Sequence, residues 1–247
     1  MPGNIIQRSY QQLLDILFPP QCAQCKVSGA ILCPRCIASI SWFTPPLCHI
    51  CGLPGAGTTL CARCQHQPLQ LSGVRAPGSY QEPLRSCIRA LKYQGNRRLS
   101  EPLGQLLAQA YHKYAMRADL VIPVPLHQEK LQQRGYNQSQ LLAESCARQL
   151  QLPLSTTLIH RIHSAPAQVT LTAQQRRKNL QGAFRCTQNH TTQSLLNRRI
   201  LIIDDVCTTG ATLEACAAPL FAAGARAVWG LVLARPLSGV PTSTGKR

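Results

Sequence analysis

From about residue 75 onward, short apolar runs alternate with segments whose apolar residues recur at helical spacing. The apolar runs predict buried strands at residues 118–126, 198–206 and 226–234, and the periodic segments predict helices at residues 137–150 and 212–224. Strands and helices that alternate in this way predict a parallel sheet with crossover helices. The predicted fold class is therefore α/β, with a parallel sheet and helices on both faces.

The chain before this region has a different pattern, in which eight of the thirteen cysteines form four Cys-x-x-Cys pairs: Cys22/Cys25, Cys33/Cys36, Cys48/Cys51 and Cys61/Cys64. A disulfide framework is typical of small secreted domains, and nothing in the sequence indicates secretion. The two thiolates of one such turn reach the same ion, and two turns complete a tetrahedral S4 zinc site. Iron–sulfur ligation is the weaker alternative because the ferredoxin spacings differ.

Four thiolates fill the coordination sphere of zinc, so we expect two structural zinc ions rather than a catalytic one. Short connecting loops favour neighbouring pairs around one ion. The two sites would then be Cys22/Cys25/Cys33/Cys36 and Cys48/Cys51/Cys61/Cys64. A cross-braced alternation of the pairs is the other arrangement. His49 and His66 lie near the cysteines, but eight thiolates already satisfy two ions.

These patterns divide the chain into four parts: an N-terminal amphipathic helix at residues 1–20, a double zinc ribbon at 21–67, the α/β domain at 75–237 and a disordered tail at 238–247. Asn4 would cap the first helix, and Pro19 with Pro20 would stop it. The N-terminus lacks the basic start and cleavage site of a signal peptide, and no apolar run approaches the ~20 residues of a membrane span. We therefore expect a cytoplasmic protein.

The formal net charge of +17 favours anionic partners, namely nucleic acid, phosphorylated small molecules or anionic lipid. Between Lys130 and Ile203, ten basic residues accompany a single acid, Glu144. A solvated basic face is the ordinary explanation of such a charge run. Aromatic residues make up only 5% of the chain, too few for an extended base-stacking surface. Either a phosphorylated small molecule or a nucleic-acid backbone could be the partner of this segment. For the nucleic-acid hypothesis we predict single-stranded DNA, bound mainly through its phosphates.

The stretch ILIIDDVCTTGATL, residues 200–213, places two of the nine acidic residues at the end of an apolar strand. Asp204 and Asp205 precede small hydroxylated residues that lead into a helix N-terminus, where backbone N–H groups and the helix dipole attract an anion. Ligands of parallel sheets bind beyond the carboxyl ends of the strands. Carboxylates repel phosphate but accept hydrogen bonds from vicinal hydroxyls, so the stretch predicts a ribose 5-phosphate site. A helix cap beside a solvated acid is the alternative.

The segment LIIDDVCTTGAT resembles the phosphoribosyl pyrophosphate (PRPP) signature of type I phosphoribosyltransferases. Together with VIPVPLHQEKLQQRGYNQSQLLA, RRKNLQGAF and the preceding cysteine pairs, it is similar to the ComF/GntX family over nearly the whole chain. The resemblance implies a type I phosphoribosyltransferase-like domain behind a double zinc ribbon. It also implies a role in natural competence and in the use of external DNA, including as a nutrient.

The resemblance further implies the residues of a site for PRPP or a phosphoribosyl compound. Asp204 and Asp205 would hold the ribose hydroxyls, and the 5-phosphate loop would consist of Thr208, Thr209, Gly210, Ala211 and Thr212. The pyrophosphate would lie near Pro123, Val124, Pro125 and Leu126. The segment 161–184 corresponds to a mobile loop, whose basic residues facing the pyrophosphate would be Arg176, Arg177 and Lys178. Magnesium would accompany PRPP if the site is active.

The reaction and its acceptor stay open at this point. Purine-salvage relatives carry an acid at the position of Thr208, which argues against hypoxanthine or guanine as the acceptor. Met1-Pro2 lacks the cysteine nucleophile of glutamine-dependent amidotransferases. Three functions remain: an active phosphoribosyltransferase in nucleotide metabolism, a DNA-handling protein that keeps the fold without the reaction, or an adaptor that works through the zinc module. Cys207 is either an activated thiolate or a tolerated small side chain, and phosphoribosyl transfer needs no thiolate.

Overall fold

The computed structural model describes residues 19–55, 59–162, 173–187 and 195–237 of the chain. Within these ranges the strands are β1 (Gly73–Arg75), β2 (Gly78–Ser79), β3 (Leu120–Pro123), β4 (Ile159–Arg161), β5 (Phe184–Cys186), β6 (Arg199–Val206) and β7 (Ala227–Arg235). Five of them form one parallel sheet in the order β1–β7–β6–β3, with β2 also paired to β7. All three predicted runs contribute a strand to this sheet, which confirms the α/β prediction.

The helices are α1 (Pro34–Ala38), α2 (Ala62–His66), α3 (Leu84–Tyr93), α4 (Ser100–Lys113), α5 (Gln128–Arg134), α6 (Gln138–Leu150), α7 (Ala173–Leu180) and α8 (Ala211–Ala222). Strand β6 shows how they cover the sheet. Leu201 and Ile203 share a core with α3, α4 and α6, whereas Ile200 and Ile202 share the other core with α8. This alternation is that of a pleated strand. Helices therefore lie on both faces, as predicted.

Some parts of the fold differ from, or lie beyond, the predicted elements. Strands β4 and β5 pair antiparallel outside the main sheet, and at three residues each they are too short for hydrophobic periodicity to reveal them. The predicted N-terminal helix falls largely on residues 1–18 and the predicted tail on residues 238–247, both outside the described ranges. No helix of the described chain combines the length and apolar character that crossing a membrane requires.

The eight ribbon cysteines gather into two groups of neighbours, with all sulfurs of a group within 4.8 Å of one another: Cys22/Cys25/Cys33/Cys36 and Cys48/Cys51/Cys61/Cys64. This is the favoured pairing of the sequence, not the cross-braced one. The Sγ atoms of Cys25 and Cys33 are 3.6 Å apart, and those of Cys51 and Cys61 are 3.7 Å apart. A zinc tetrahedron with bonds of about 2.3 Å has edges of about 3.8 Å. The donor set and its geometry fit zinc, and each group is a four-cysteine zinc-ribbon site.

Backbone N–H groups favour the thiolate form that zinc requires. The amide of Cys33 donates to the sulfur of Cys22 at 3.5 Å, and the amide of Cys61 donates to the sulfur of Cys48 at 3.4 Å. Burial opposes charge at both acceptors, but these and neighbouring N–H groups outweigh it and lower the pKa of Cys22 and Cys48 to about 6. Burial raises the pKa of the other ligands Cys36, Cys51 and Cys64, so each group favours one thiolate before metal binds and should release protons when zinc enters.

Each ribbon packs on a different face of the sheet. The first ribbon places Cys22 and Leu32 in the core that includes Leu91 of α3. The second ribbon places Cys51 in the other core, which includes Leu213 of α8. The ribbons are thus parts of the two main cores rather than a separate appendage. Metal binding to either ribbon should therefore be coupled to the folding of the domain.

We expect the purified chain to carry two zinc ions, because each four-cysteine group has a complete set of ligands. Elemental analysis should show that Cys61→Ser leaves one zinc per chain, since a serine hydroxyl is a poor zinc ligand. Cys186→Ser changes a cysteine outside both groups and should leave both ions in place. The assignment of the zinc ligands would be contradicted if both variants kept two zinc ions, or if both lost the same amount of zinc.

Candidate functional site

The two acidic residues lie within the last residues of β6, at the carboxyl edge of the sheet. Asp204 pairs in register with Val232 of β7, and β6 continues to Val206, so the acids belong to the strand rather than follow it. Asp205 is buried and Asp204 is partly buried. Strand β3 runs parallel beside β6 and ends at the same edge with Pro123. The structure therefore brings the acids and the predicted pyrophosphate segment to one edge.

A chain of hydrogen bonds links that pyrophosphate segment to Asp204 through the first residues of α6. Asn137 is the N-cap of α6: its Oδ1 accepts from the backbone N–H of Ser139 at 3.0 Å, and its Nδ2 donates to the carbonyl of Val124 at 2.9 Å. The hydroxyl of Ser139 then donates to Oδ1 of Asp204 at 2.7 Å. Sequence reasoning placed α6 correctly but did not assign Asn137 or Ser139 to the site. The Asn cap before the helix was the signal that could have identified them.

Lys92 is a third residue that the sequence analysis did not assign to the site. It lies in the last turn of α3, and its Nζ is 2.7 Å from Oδ1 of Asp205. The other oxygen of Asp205, Oδ2, is buried without a hydrogen-bond partner among the described residues. A buried carboxylate oxygen with no donor is costly unless a ligand supplies one. This oxygen is therefore suited to a ligand hydroxyl.

Burial and mutual repulsion set the charge state of the acids. Burial, and after it the charge of Asp205, raises the pKa of Asp204 to about 7, against the opposing effects of Lys92 and the Ser139 hydroxyl. Burial also disfavours the charge of Lys92, but the charges of Asp205 and Asp204 outweigh it and raise the pKa of this lysine. The site thus contains one firm ion pair and one carboxyl group that changes charge near neutrality.

The loop after β6 leads into α8 through a left-handed glycine. Gly210 has φ of 90°, and a Cβ at this position would lie 2.7 Å from Cδ2 of Leu69. Glycine is needed here both for the backbone angle and for the close approach of Leu69, which follows the second ribbon. The hydroxyl of Thr209 accepts from the N–H of Ala211 at 3.3 Å. A small cavity of about 30 Å³ lies between this loop and Asp204.

Two arginines hold the carbonyl side of the loop. Arg235 is fully buried and donates to the carbonyls of Cys207 at 3.2 Å and Thr208 at 3.3 Å, and also to the carbonyl of Cys51 in the second ribbon. Arg63 of α2 donates to the carbonyl of Thr209 at 3.0 Å. In a trans peptide the C=O and the following N–H point in opposite directions. The N–H groups of residues 208–210 therefore face away from the ribbon, as an anion site requires.

Among the described side chains, the structure does not bring the remaining predicted residues into contact with Asp204 or Asp205. Arg177 of α7 forms an ion pair with Glu214 of α8, Nε to Oε2 at 2.8 Å, and the side chains of Arg176 and Lys178 lie outside the description. Cys207 is buried, and burial raises the pKa of its thiol. A protonated, buried thiol is a poor nucleophile, which agrees with a small packed side chain.

Family models match both parts of the chain. The phosphoribosyl transferase domain matches residues 137–241, and the double zinc ribbon domain matches residues 13–65. The two matches agree with the order of a zinc-ribbon module followed by a phosphoribosyltransferase-like α/β domain. They also support the assignment of the two four-cysteine groups to zinc.

Curated relatives match most of the chain. Competence protein F of Haemophilus influenzae is 32% identical over 212 residues, which span 82% of this chain and 90% of that protein. The DNA utilization protein YhgH of Escherichia coli K12 is 32% identical over 197 residues, 77% of this chain and 85% of that protein. Competence protein ComFC of Bacillus subtilis is 24% identical over 201 residues, 78% of this chain and 79% of that protein.

The arginine contacts predict a measurable effect of the second ribbon on the loop. In Arg63→Ala the carbonyl of Thr209 loses its donor, so amide hydrogen exchange at residues 208–211 should become faster. Phosphate affinity should fall by about fivefold, the effect of roughly 1 kcal/mol in one hydrogen bond. The matched control is Arg35→Ala, because Arg35 holds the same Cys-x-Arg-Cys position in the first ribbon. Equal exchange rates in both variants would show that the second ribbon does not hold the loop.

Because the pKa of Asp204 is raised, replacing this residue with a neutral one should stabilise the folded chain, and the gain should depend on pH. Between the unfolded pKa near 4 and the folded value of about 7, the folded state binds more protons, so this residue costs stability as pH rises. Asp204→Asn keeps the Oδ1 acceptor, and its melting temperature relative to the parent should rise by about 3 °C between pH 5 and pH 8.

Asp119→Asn provides the control of opposite sign for this measurement. Hydrogen bonds from Arg199 lower the pKa of Asp119 to about 2, so its charge stabilises the folded chain above the unfolded pKa. This variant should therefore melt below the parent at pH 8. A lower melting temperature for Asp204→Asn at pH 8 would refute the proposed charge state.

Proposed function

Because this chain belongs to the ComF/GntX family of competence and DNA-utilisation proteins, we propose that it binds PRPP and serves the uptake or use of external DNA. The observation that carries the PRPP proposal is the adjacency of two features on one sheet edge. Asp204 and Asp205 lie beside a loop whose N–H groups of residues 208–210 are turned outward. A ribose 5-phosphate needs acceptors for its vicinal hydroxyls and donors for its phosphate, and this edge offers both.

In this proposal each part of the site meets one part of PRPP. The ribose hydroxyls donate to Asp204 and Asp205, where Oδ2 of Asp205 has no partner among the described residues. The 5-phosphate accepts from the loop formed by Thr208, Thr209, Gly210, Ala211 and Thr212. The helix dipole of the twelve-residue α8 adds to that attraction.

The pyrophosphate end is less defined by the described contacts. We keep Pro123, Val124 and Pro125 as its neighbours, because the hydrogen bond from Asn137 fixes Val124 beside the acids. Arg176, Arg177 and Lys178 stay candidates for a closing loop, although Arg177 pairs with Glu214 in this structure. Magnesium prefers oxygen ligands and would offset the charge of the pyrophosphate when bound.

Single-stranded DNA is the proposed macromolecular partner, in keeping with the names of the curated relatives. The excess of basic residues in the chain, a net charge of +17, supports contacts to a phosphate backbone. We propose the cytoplasm as the compartment, because none of the thirteen cysteines is paired in a disulfide and a reducing compartment keeps thiols in that state.

Phosphoribosyl transfer to an unknown acceptor is the second candidate. It is favoured by the pKa of about 7 at Asp204, because a carboxyl group that titrates near neutrality can accept a proton from an incoming nucleophile. The absence of an acid at position 208 still argues against hypoxanthine or guanine as the acceptor. Incubation of radiolabelled PRPP with a panel of nucleobases and amines would distinguish binding alone from transfer.

The test of PRPP binding is calorimetry of the zinc-loaded chain with PRPP and magnesium. The double variant Asp204→Asn/Asp205→Asn should bind at least ~100-fold more weakly, since it loses two charge-assisted hydrogen bonds of about 1.5–3 kcal/mol each. Asp119→Asn, an acid at the opposite edge of the sheet, should bind like the parent. Ribose 5-phosphate should compete with PRPP.

Circular dichroism and zinc content must first show that the double variant is folded, because Lys92 loses its partner in it. Undiminished PRPP binding by a folded double variant would remove the assignment of the acids. Failure of the parent to bind PRPP would remove the PRPP proposal itself, whatever its affinity for DNA.

A further inference from the structure

A basic pocket lies between the end of α3 and helix α5, next to the site described above. We call it the α3–α5 pocket. Its volume is about 380 Å³, and its lining includes Lys92, Tyr93, Lys130, Arg134 and Tyr136. Lys92 joins the pocket to the acids, because its Nζ contacts Asp205. The pocket is several times larger than a single phosphate group and falls within the size range of small-ligand sites.

Lys92 is paired with Asp205, but the other two cations of the pocket, Lys130 and Arg134, have no acid beside them in the lining. None of the described residues that line the pocket is acidic. Glu129, the acid of α5, is largely exposed and lies 3.4 Å from Nδ1 of His127 instead. Burial, and after it the charges of Arg161, Arg134 and Lys92, lowers the pKa of Lys130. Cations that repel one another in this way are relieved by an anion.

Two tyrosines add an aromatic surface to the cations. The ring of Tyr93 is 74% exposed, which is unusual for an aromatic side chain, and the guanidinium of Arg134 lies 5.5 Å from its centre. Tyr136 is held in place by a hydrogen bond to the carbonyl of Leu91 and by Arg97, 4.4 Å from its ring centre. Tyr136 is buried, so Tyr93 offers the exposed ring, and an exposed ring beside cations is the combination that binds a nucleotide base next to its phosphate.

We propose that the α3–α5 pocket binds one phosphodiester of single-stranded DNA through Lys130 and Arg134, with an adjoining base on the ring of Tyr93. The site is distinct from the loop of residues 208–212. This inference rests on the proposed function for the identity of the partner. It assigns DNA binding to a defined pocket instead of to the whole basic segment between Lys130 and Ile203. Free pyrophosphate, or the pyrophosphate end of PRPP, would use the cations but would leave the tyrosine ring without a role.

The test is fluorescence anisotropy of the zinc-loaded chain with a labelled oligothymidylate at several salt concentrations. Lys130→Ala/Arg134→Ala should lower affinity at least ~10-fold at low salt and flatten the salt slope by about 0.7 for each phosphate that is no longer neutralised. Tyr93→Ala should weaken binding at least ~5-fold without changing the slope, because stacking releases no counterions. Tyr93→Phe should bind like the parent.

The charge-matched control is Arg117→Ala/Arg226→Ala. Both arginines are exposed; Arg226 directly precedes β7 and Arg117 lies three residues before β3, so they lie at the amino edge of the sheet, opposite the pocket. This control should lower affinity less than ~3-fold, as expected from net charge alone. The inference fails if the control weakens DNA binding as much as the pocket variant does.

PRPP calorimetry on the same variants separates the two proposals. Lys130→Ala/Arg134→Ala should retain PRPP affinity within about twofold while DNA binding falls. Parallel loss of PRPP and DNA would assign the pocket to the PRPP site and overturn the inference. DNA binding by the parent with no effect of either pocket variant would overturn the inference alone. A parent that binds no DNA would overturn both this inference and the DNA role.

Discussion

The candidate site depends on the hydrogen bonds of one buried side chain, the guanidinium of Arg235. It binds the carbonyls of Cys207 and Thr208 in the loop and that of Cys51 in the second ribbon. A buried cation without a carboxylate is costly, but four thiolates around one zinc ion carry a net negative charge nearby. The metal site and the loop are thus joined by one residue, which satisfies carbonyls on one side and leaves N–H groups for a ligand on the other.

The two ribbons act on opposite flanks of the same site. The second ribbon meets the loop through Arg235 and Arg63, whereas the first shares the core of α3, the helix that ends with Lys92. The position of Lys92 relative to Asp205 therefore depends on how α3 packs against the first ribbon. This arrangement gives a physical reason for a zinc module to precede a phosphoribosyltransferase-like domain, because metal-dependent folding would order both sides of the candidate site.

Short-range sequence patterns predicted the features of the fold that depend on residues close together in the chain. The parallel sheet, α6 and α8 and the two four-cysteine groups follow from apolar runs, helical spacing and short loops between cysteines. Lys92 and Arg235 could not be found in this way, because their roles arise from contacts between residues far apart in the chain. Neither residue stands in a motif of its own, and only packing places Lys92 beside Asp205 and Arg235 beside Cys51. Ser139 is intermediate, since its helix was predictable and its contact with Asp204 was not.

Lys92 connects the two proposed ligands energetically. Its ammonium group contacts Asp205 and also lines the α3–α5 pocket. If both proposals hold, a ribose hydroxyl that donates to Asp205 would compete with Lys92 for the carboxylate charge and weaken that ion pair. The lysine would then interact more strongly with an anion in the pocket. Because coupling between two sites is reciprocal, DNA phosphate in the pocket would strengthen PRPP binding by the same factor. A single lysine between a carboxylate and a basic pocket is sufficient for such coupling, and it requires no movement of the sheet.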